Sequence, residues 1–122
     1  QLTIPLKKQT SDYGKAFESW FINECFRLDE YHQLDYKFSY LRTKDDAEID
    51  LIIERPDHSL TLVEIKSTER IEDRHLKHLN HFRKDFPTAN LVCVCSEKKS
   101  RRVGEVLVTP WKQAFKLLKL LK

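Results

Sequence analysis

Asp50, Glu64 and Lys66 are the residues of this chain whose types and spacing can do chemistry together. Side chains alternate across a strand, so in the run Leu60 to Lys66 the residues Leu60, Leu62, Glu64 and Lys66 share one face. An acid and a base then project side by side near the strand's end. In Ala47 to Glu54, Asp50 is expected to project opposite to Ile49 and Leu51. The thirteen residues between Asp50 and Glu64 suit two strands joined by a turn, which sets one carboxylate beside the other. Two such carboxylates repel unless a cation lies between them, and oxygen ligands of this kind favour Mg2+ or Mn2+ over zinc. The ion would lower the pKa of a bound water and offset charge building on a phosphate, while Lys66 adds positive charge beside the nucleophile. The chemistry implied is phosphodiester hydrolysis; the bland alternative is a structural ion pair at a sheet edge.

Regular elements must hold these residues. Phe17, Phe21, Cys25 and Leu28 recur at helical spacing and predict a helix from about Tyr13 to Glu30, capped by Ser11 or Asp12. Tyr36 to Arg42 and Ala47 to Glu54 alternate apolar and polar residues around the turn-prone Lys44-Asp45-Asp46. With Leu60 to Lys66 they predict a meander of three antiparallel strands. A helix is expected from about Glu72, carrying Leu76, Leu79, Phe82 and Phe86 toward the sheet and stopped by Pro87. Leu91 to Cys95 and Val106 to Val108 read as further strands, with a basic loop, Lys98 to Arg102, between them. Thr109-Pro110 is expected to start a last helix that buries Trp111, Ala114, Phe115 and Leu118.

A length of 122 residues fits one hydrophobic core, expected over residues 13–122 after a lead-in of residues 1–12. A hydrophobic fraction of 40% and only two glycines argue for a packed fold and against disorder. The net charge of +3 permits a polyanionic partner without identifying one. Three cysteines cannot all pair, and Cys93 and Cys95 lie in an apolar run, so they are expected as reduced core residues of a cytoplasmic protein. No stretch reaches the roughly 18 apolar residues that span a bilayer. The chain lacks methionine, so it is expected to be a piece of something longer.

Ile49-Asp50 followed by Glu64-Ile65-Lys66 resembles the PD-(D/E)XK, or restriction-endonuclease-like, nuclease superfamily, although Ile49 stands where a proline often precedes the aspartate. The resemblance implies an α/β (α+β) fold with an αβββαβ core: a mixed central sheet flanked by helices, here followed by a C-terminal helix. A closer resemblance runs from Gly14 to about Leu118, to a C-terminal domain of unknown function attached to prokaryotic AAA-type ATPases. It is carried by Gly14-Lys15-Ala16-Phe17-Glu18, Tyr40-Leu41-Arg42-Thr43, Glu48-Ile49-Asp50 and Val63-Glu64-Ile65-Lys66-Ser67. This second resemblance adds Glu18 to the site, on the first helix, although helical spacing alone also allows a solvated residue there, with Glu24 as the competing acid.

Together these features predict a Mg2+-dependent or Mn2+-dependent nuclease or nuclease-like domain, with Asp50 and Glu64 on the ion. The resemblances imply as partners nucleic acid, DNA before RNA, and an N-terminal ATPase domain of the same longer chain; no membrane is implied. The rival is a catalytically silent module that binds nucleic acid or protein for the ATPase, because a fold does not guarantee activity. Glu48 is expected to pair with a surface base, and Arg42 and Lys44 are candidate phosphate contacts. His75, His78 and His81 step around a helix too widely for one ion. Four bases between Lys98 and Arg102 can meet a nucleic-acid backbone or simply be solvated. Trp20 and Trp111 are expected in the core or a domain contact.

Overall fold

A computed structural model describes residues 3–5 and 16–121. The expected helix start at Tyr13, its cap at Ser11 or Asp12 and most of the lead-in lie outside these residues. Thr3–Pro5, expected as lead-in, forms a short strand, β1, paired antiparallel with β2. The elements that follow are α1 (Ala16–His32), β2 (Lys37–Arg42), β3 (Glu48–Glu54), β4 (Leu60–Ile65), α2 (Lys77–His81), β5 (Asn90–Cys95), β6 (Arg101–Val103), β7 (Val106–Pro110) and α3 (Trp111–Leu117). The order from α1 to β5 is the αβββαβ series expected.

The seven strands among the described residues join one mixed sheet in the order β1-β2-β3-β4-β5-β7-β6. The tight turns around Asp46 and His58, both with positive φ (60° and 68°), make β2, β3 and β4 an antiparallel meander. The longer connection through α2 returns β5 parallel to β4, as crossovers between parallel strands require. β7 is also parallel to β5, and β6 is antiparallel to β7. Part of the predicted basic loop is therefore an edge strand, Arg101–Val103.

Helices cover both faces of the sheet. Phe21, Ile22 and Cys25 of α1 and Ala114 and Phe115 of α3 pack with Leu51, Ile53, Val63, Ile65, Val92 and Val94. Leu76, Leu79 and Phe82 pack on the other face with Ile49, Ile52, Leu62, Leu91 and Cys93. Each of the leucine, isoleucine, valine and phenylalanine side chains among them, fully removed from water, contributes about 1.5–3 kcal/mol. The predicted helix from Glu72 is broken into a 3-10 turn (Asp73–Leu76), the single α turn of α2 and a second 3-10 turn (Phe82–Lys84); Leu76, Leu79 and Phe82 are buried as expected, while Phe86 lies past the last turn and is only partly buried.

The last helix corrects the sequence in a different way. Thr109 and Pro110 complete β7, and α3 begins at Trp111 with Pro110 in an extended conformation (φ −60°, ψ 144°), so threonine does not cap it. At its other end, the amides of Lys119 and Leu120 donate to the carbonyls of Lys116 (3.0 Å) and Phe115 (2.9 Å). This double closure needs a left-handed residue, usually glycine, and Lys119 fills it at φ 63°. An L-residue such as lysine there costs roughly 1–2 kcal/mol.

Cys25, Cys93 and Cys95 are buried free thiols, as expected. Trp20 and Trp111 meet edge to face at 5.1 Å; Trp111 is half-buried, while Trp20 stays 38% exposed at the rim. No described helix is long and apolar enough to cross a membrane.

Candidate active site

The site is made by an interruption in β3. Ser39 pairs with Ile52 and Leu41 with Ile49, so two steps along β2 match three along β3, and β3 carries one extra residue in the segment that holds Asp50. The extra residue reverses the alternation: Ile49 packs with Ile52 on the α2 face, and Leu51 packs with Ile53 on the α1 face. The expectation that Ile49 and Leu51 share a face with Asp50 opposite is therefore corrected, and a regular period of two could not have shown it.

Beyond the pair Leu51–Val63 the β3–β4 ladder ends. The next inward amide of β4, that of Ile65, donates instead to Asp50 Oδ2 at 2.8 Å. A carboxylate thus replaces a backbone carbonyl and fixes Asp50 against the end of β4. The amide of Lys66 turns the other way, to the Val94 carbonyl at 2.8 Å, so β4 stays anchored to β5 while it leaves β3.

Glu64 lies at this point and is 2% exposed. Its Oε2 is 3.7 Å from Lys66 Nζ, and its Oε1 is buried without a hydrogen-bond partner. Burial, followed by the charge of Asp50, pushes the Glu64 carboxyl up to about 9 against the opposing pull of Lys66; Glu48 and then Glu18 raise it further. Burial thus favours the protonated form of this acid. Lys66, 40% exposed, joins the buried acid to solvent.

The structure therefore gathers Asp50, Glu64 and Lys66, and places Glu18, half-buried in the first turn of α1, where its charge still reaches Glu64. Glu48 pairs with Arg42 at 3.1 Å, the surface base expected for it, and this occupies a candidate phosphate contact. Among the described residues, no group of three or more histidine, cysteine or acidic side chains is arranged to hold a metal. Mg2+, however, commonly keeps several waters and takes only one or two carboxylates together with substrate oxygens. The orphaned Oε1 of Glu64 beside Asp50 fits that requirement.

Several neighbours were not legible from sequence. His78 Nδ1 accepts the amide of Glu48 at 3.4 Å, and His75 Nδ1 accepts that of Glu72 at 2.9 Å, so two of the three histidines brace backbone on separate elements. Cys93 pairs with Glu64 in the sheet register, and burial pushes its thiol well above the ordinary range, which keeps it a neutral packing group. Glu97 Oε2 accepts the Ile71 amide at 2.6 Å while Arg101 donates to both of its oxygens at 2.8 Å. Arg101 also donates to the Ile71 carbonyl at 2.9 Å. That clamp ties the segment after β4 to the segment after β5, and it withdraws Arg101 from the predicted basic cluster. Contact of charged side chains across loops distant in sequence leaves no local pattern to read.

An α/β domain with helices on both faces of a mixed sheet, and a buried glutamate beside an aspartate and a lysine where two strands separate, is the class these features define. The chain belongs to the family described as Domain of unknown function (DUF4143), which matches residues 13–114. Neither a curated protein nor a solved structure matches it.

Proposed function

We propose that this domain is a metal-dependent nuclease or nuclease-like domain of the PD-(D/E)XK type, acting on phosphodiester bonds of DNA, with Asp50 and Glu64 holding Mg2+ or Mn2+. One observation carries the reading: Glu64 is almost wholly buried next to a second acid, yet one of its oxygens has no partner. A buried acid with an unsatisfied oxygen is costly, and acids perturbed by burial together with a specific charge partner gather at functional sites. When bound, the ion supplies Lewis-acid stabilisation of the phosphate and a more acidic water. Asp50 is held in position by the Ile65 amide, and Glu64 would have to be deprotonated to hold the cation with it. Lys66, 3.7 Å from Glu64, would lend its positive charge to the nucleophile and the phosphate, and Glu18 would add a further acid to the site. The resemblance through Gly14 to Glu18 also supports service to an AAA-type ATPase on the same longer chain.

A silent binding module is favoured by one specific observation. Arg42 and Arg101 are already committed to Glu48 and Glu97, which leaves fewer cations near the site for a substrate backbone. The test is incubation of plasmid, linear duplex and single-stranded DNA with Mg2+ or Mn2+, using the parent, Asp50→Ala and Lys66→Ala. Cleavage by the parent alone supports the enzyme. Saturable Mn2+ binding without cleavage of any substrate supports the silent module, and neither binding nor cleavage removes both the metal and the reaction.

A further inference from the structure

A cavity of about 600 Å³ opens at the other end of β4 and β5 from Glu64, where Thr61, Asn90 and Leu91 begin those strands. Four cationic side chains line it, Arg55, Arg83, Arg102 and Lys119, against two acids, Asp57 and Glu105. They come from four separate segments: the β3–β4 turn, the end of the α2 region, the β6–β7 hairpin and the chain after α3.

The guanidiniums are held mainly by neutral acceptors. Arg55 donates to Thr61 Oγ1 at 2.9 Å and to the Leu118 carbonyl at 2.8 Å, and its guanidinium lies 5.3 Å from the Tyr36 ring centre. Arg83 Nη1 donates to the carbonyls of Phe86, Pro87 and Ala89, with Glu105 at 3.5 Å from its Nε. Arg102 donates to the Glu105 carbonyl at 3.4 Å. Bonds of this kind fix a cation in place without cancelling its charge, which leaves a preorganised positive field.

Lys119 supplies a second, independent observation. It stands in the left-handed position that closes α3, where glycine is the unstrained choice, and its carbonyl accepts the Tyr36 hydroxyl at 2.9 Å. The cap thus fixes the backbone of Lys119, which adds a fourth cationic residue to the lining of the cavity. We propose that the cavity is a binding site for a small phosphorylated ligand, whose phosphate is met by Lys119 and Arg102 in the field of Arg55 and Arg83. Its volume lies within the range of small-ligand pockets and its lining is polar. The site stands apart from the metal reading and does not depend on it.

Calorimetric titration of the chain with inorganic phosphate and with a nucleoside monophosphate tests it, in the parent, Lys119→Gly and Arg102→Ala. Saturable binding of either is expected, weakened at least tenfold in both variants, while Lys119→Gly raises the thermal midpoint because its backbone strain is gone. Tighter binding of the nucleotide than of phosphate identifies a nucleoside phosphate as the source, and equal binding identifies the free anion. Absence of saturable heat for both, or affinities unchanged in both variants, overturns the proposal. Binding of a DNA strand in place of either small ligand also overturns it and assigns the cations to a nucleic-acid path.

Discussion

The Ile65 amide donates to Asp50 Oδ2 at 2.8 Å, so the aspartate proposed as a metal ligand also finishes the β3–β4 ladder. Structure and function can be separated there. Asp50→Asn keeps an acceptor for the amide and removes the charge, whereas Asp50→Ala leaves a buried donor unsatisfied at a cost of about 1–3 kcal/mol. Urea unfolding should show the asparagine variant close to the parent and the alanine variant clearly less stable, with Mn2+ binding weakened in both. Equal stability of all three would remove the structural role.

The buried acid makes stability depend on pH. Glu64 has its carboxyl raised from 4.5 to about 9, so between those values the folded state binds a proton more tightly than the unfolded chain. Stability of the metal-free protein therefore falls as pH rises through this window, by at most about 1.4 kcal/mol per pH unit. Below the window the penalty is absent. Denaturant titrations at several pH values should show the slope in the parent and its loss in Glu64→Gln. A slope that survives in the variant belongs to another group.

Metal binding should release the same proton. At pH 7 the cation must displace it from Glu64, so Mn2+ affinity is expected to increase up to pH about 9. Calorimetry in two buffers of different ionisation enthalpy measures the release directly, with a value near one proton expected. Release near zero would place the ion elsewhere.

Lys66 is 40% exposed and 3.7 Å from the buried Glu64, and while that acid is protonated the lysine's charge adds little to stability. Lys66→Ala should lower DNA cleavage by a factor of about 10²–10³ while Mn2+ binding and the thermal midpoint change little. Unaltered cleavage would assign the lysine to solvent alone.

Glu97 is held well below the usual carboxylate range, first by its hydrogen bonds with Arg101, and then by the Ile71 amide against the cost of its own burial. Its contribution is present above the ordinary carboxylate pKa and fades as pH falls toward about 2. Glu97→Ala should speed amide hydrogen exchange in the segments after β4 and β5 and leave the interior of the sheet protected. Uniform exchange changes across the sheet would argue against a local clamp.

Much of this arrangement is written in short-range pattern. The alternation of β2 and β4, the turns at Asp46 and His58 and the apolar period of α1 are set by neighbours in sequence, so they were legible, as was the pairing of Glu64 with Lys66. The extra residue in β3 was not, because Ile49, Leu51 and Ile53 keep a perfect period of two on paper. Only pairing with β2 reveals the slip. β6 was hidden because Arg101 and Arg102 suit a solvated loop as well as an edge strand. The 3-10 turns around α2 likewise come from packing against the sheet and not from residue preference.

Among the described residues, both margins of the sheet are short strands: Thr3–Pro5 on one side and Arg101–Val103 on the other. One contains a proline, which has no amide hydrogen to offer a stranger, and the other carries two arginines that repel a like copy. A broad sheet with blunted rims presents little template for stacking neighbour upon neighbour. The same economy that made these strands hard to foresee guards the molecule against fibrous self-assembly.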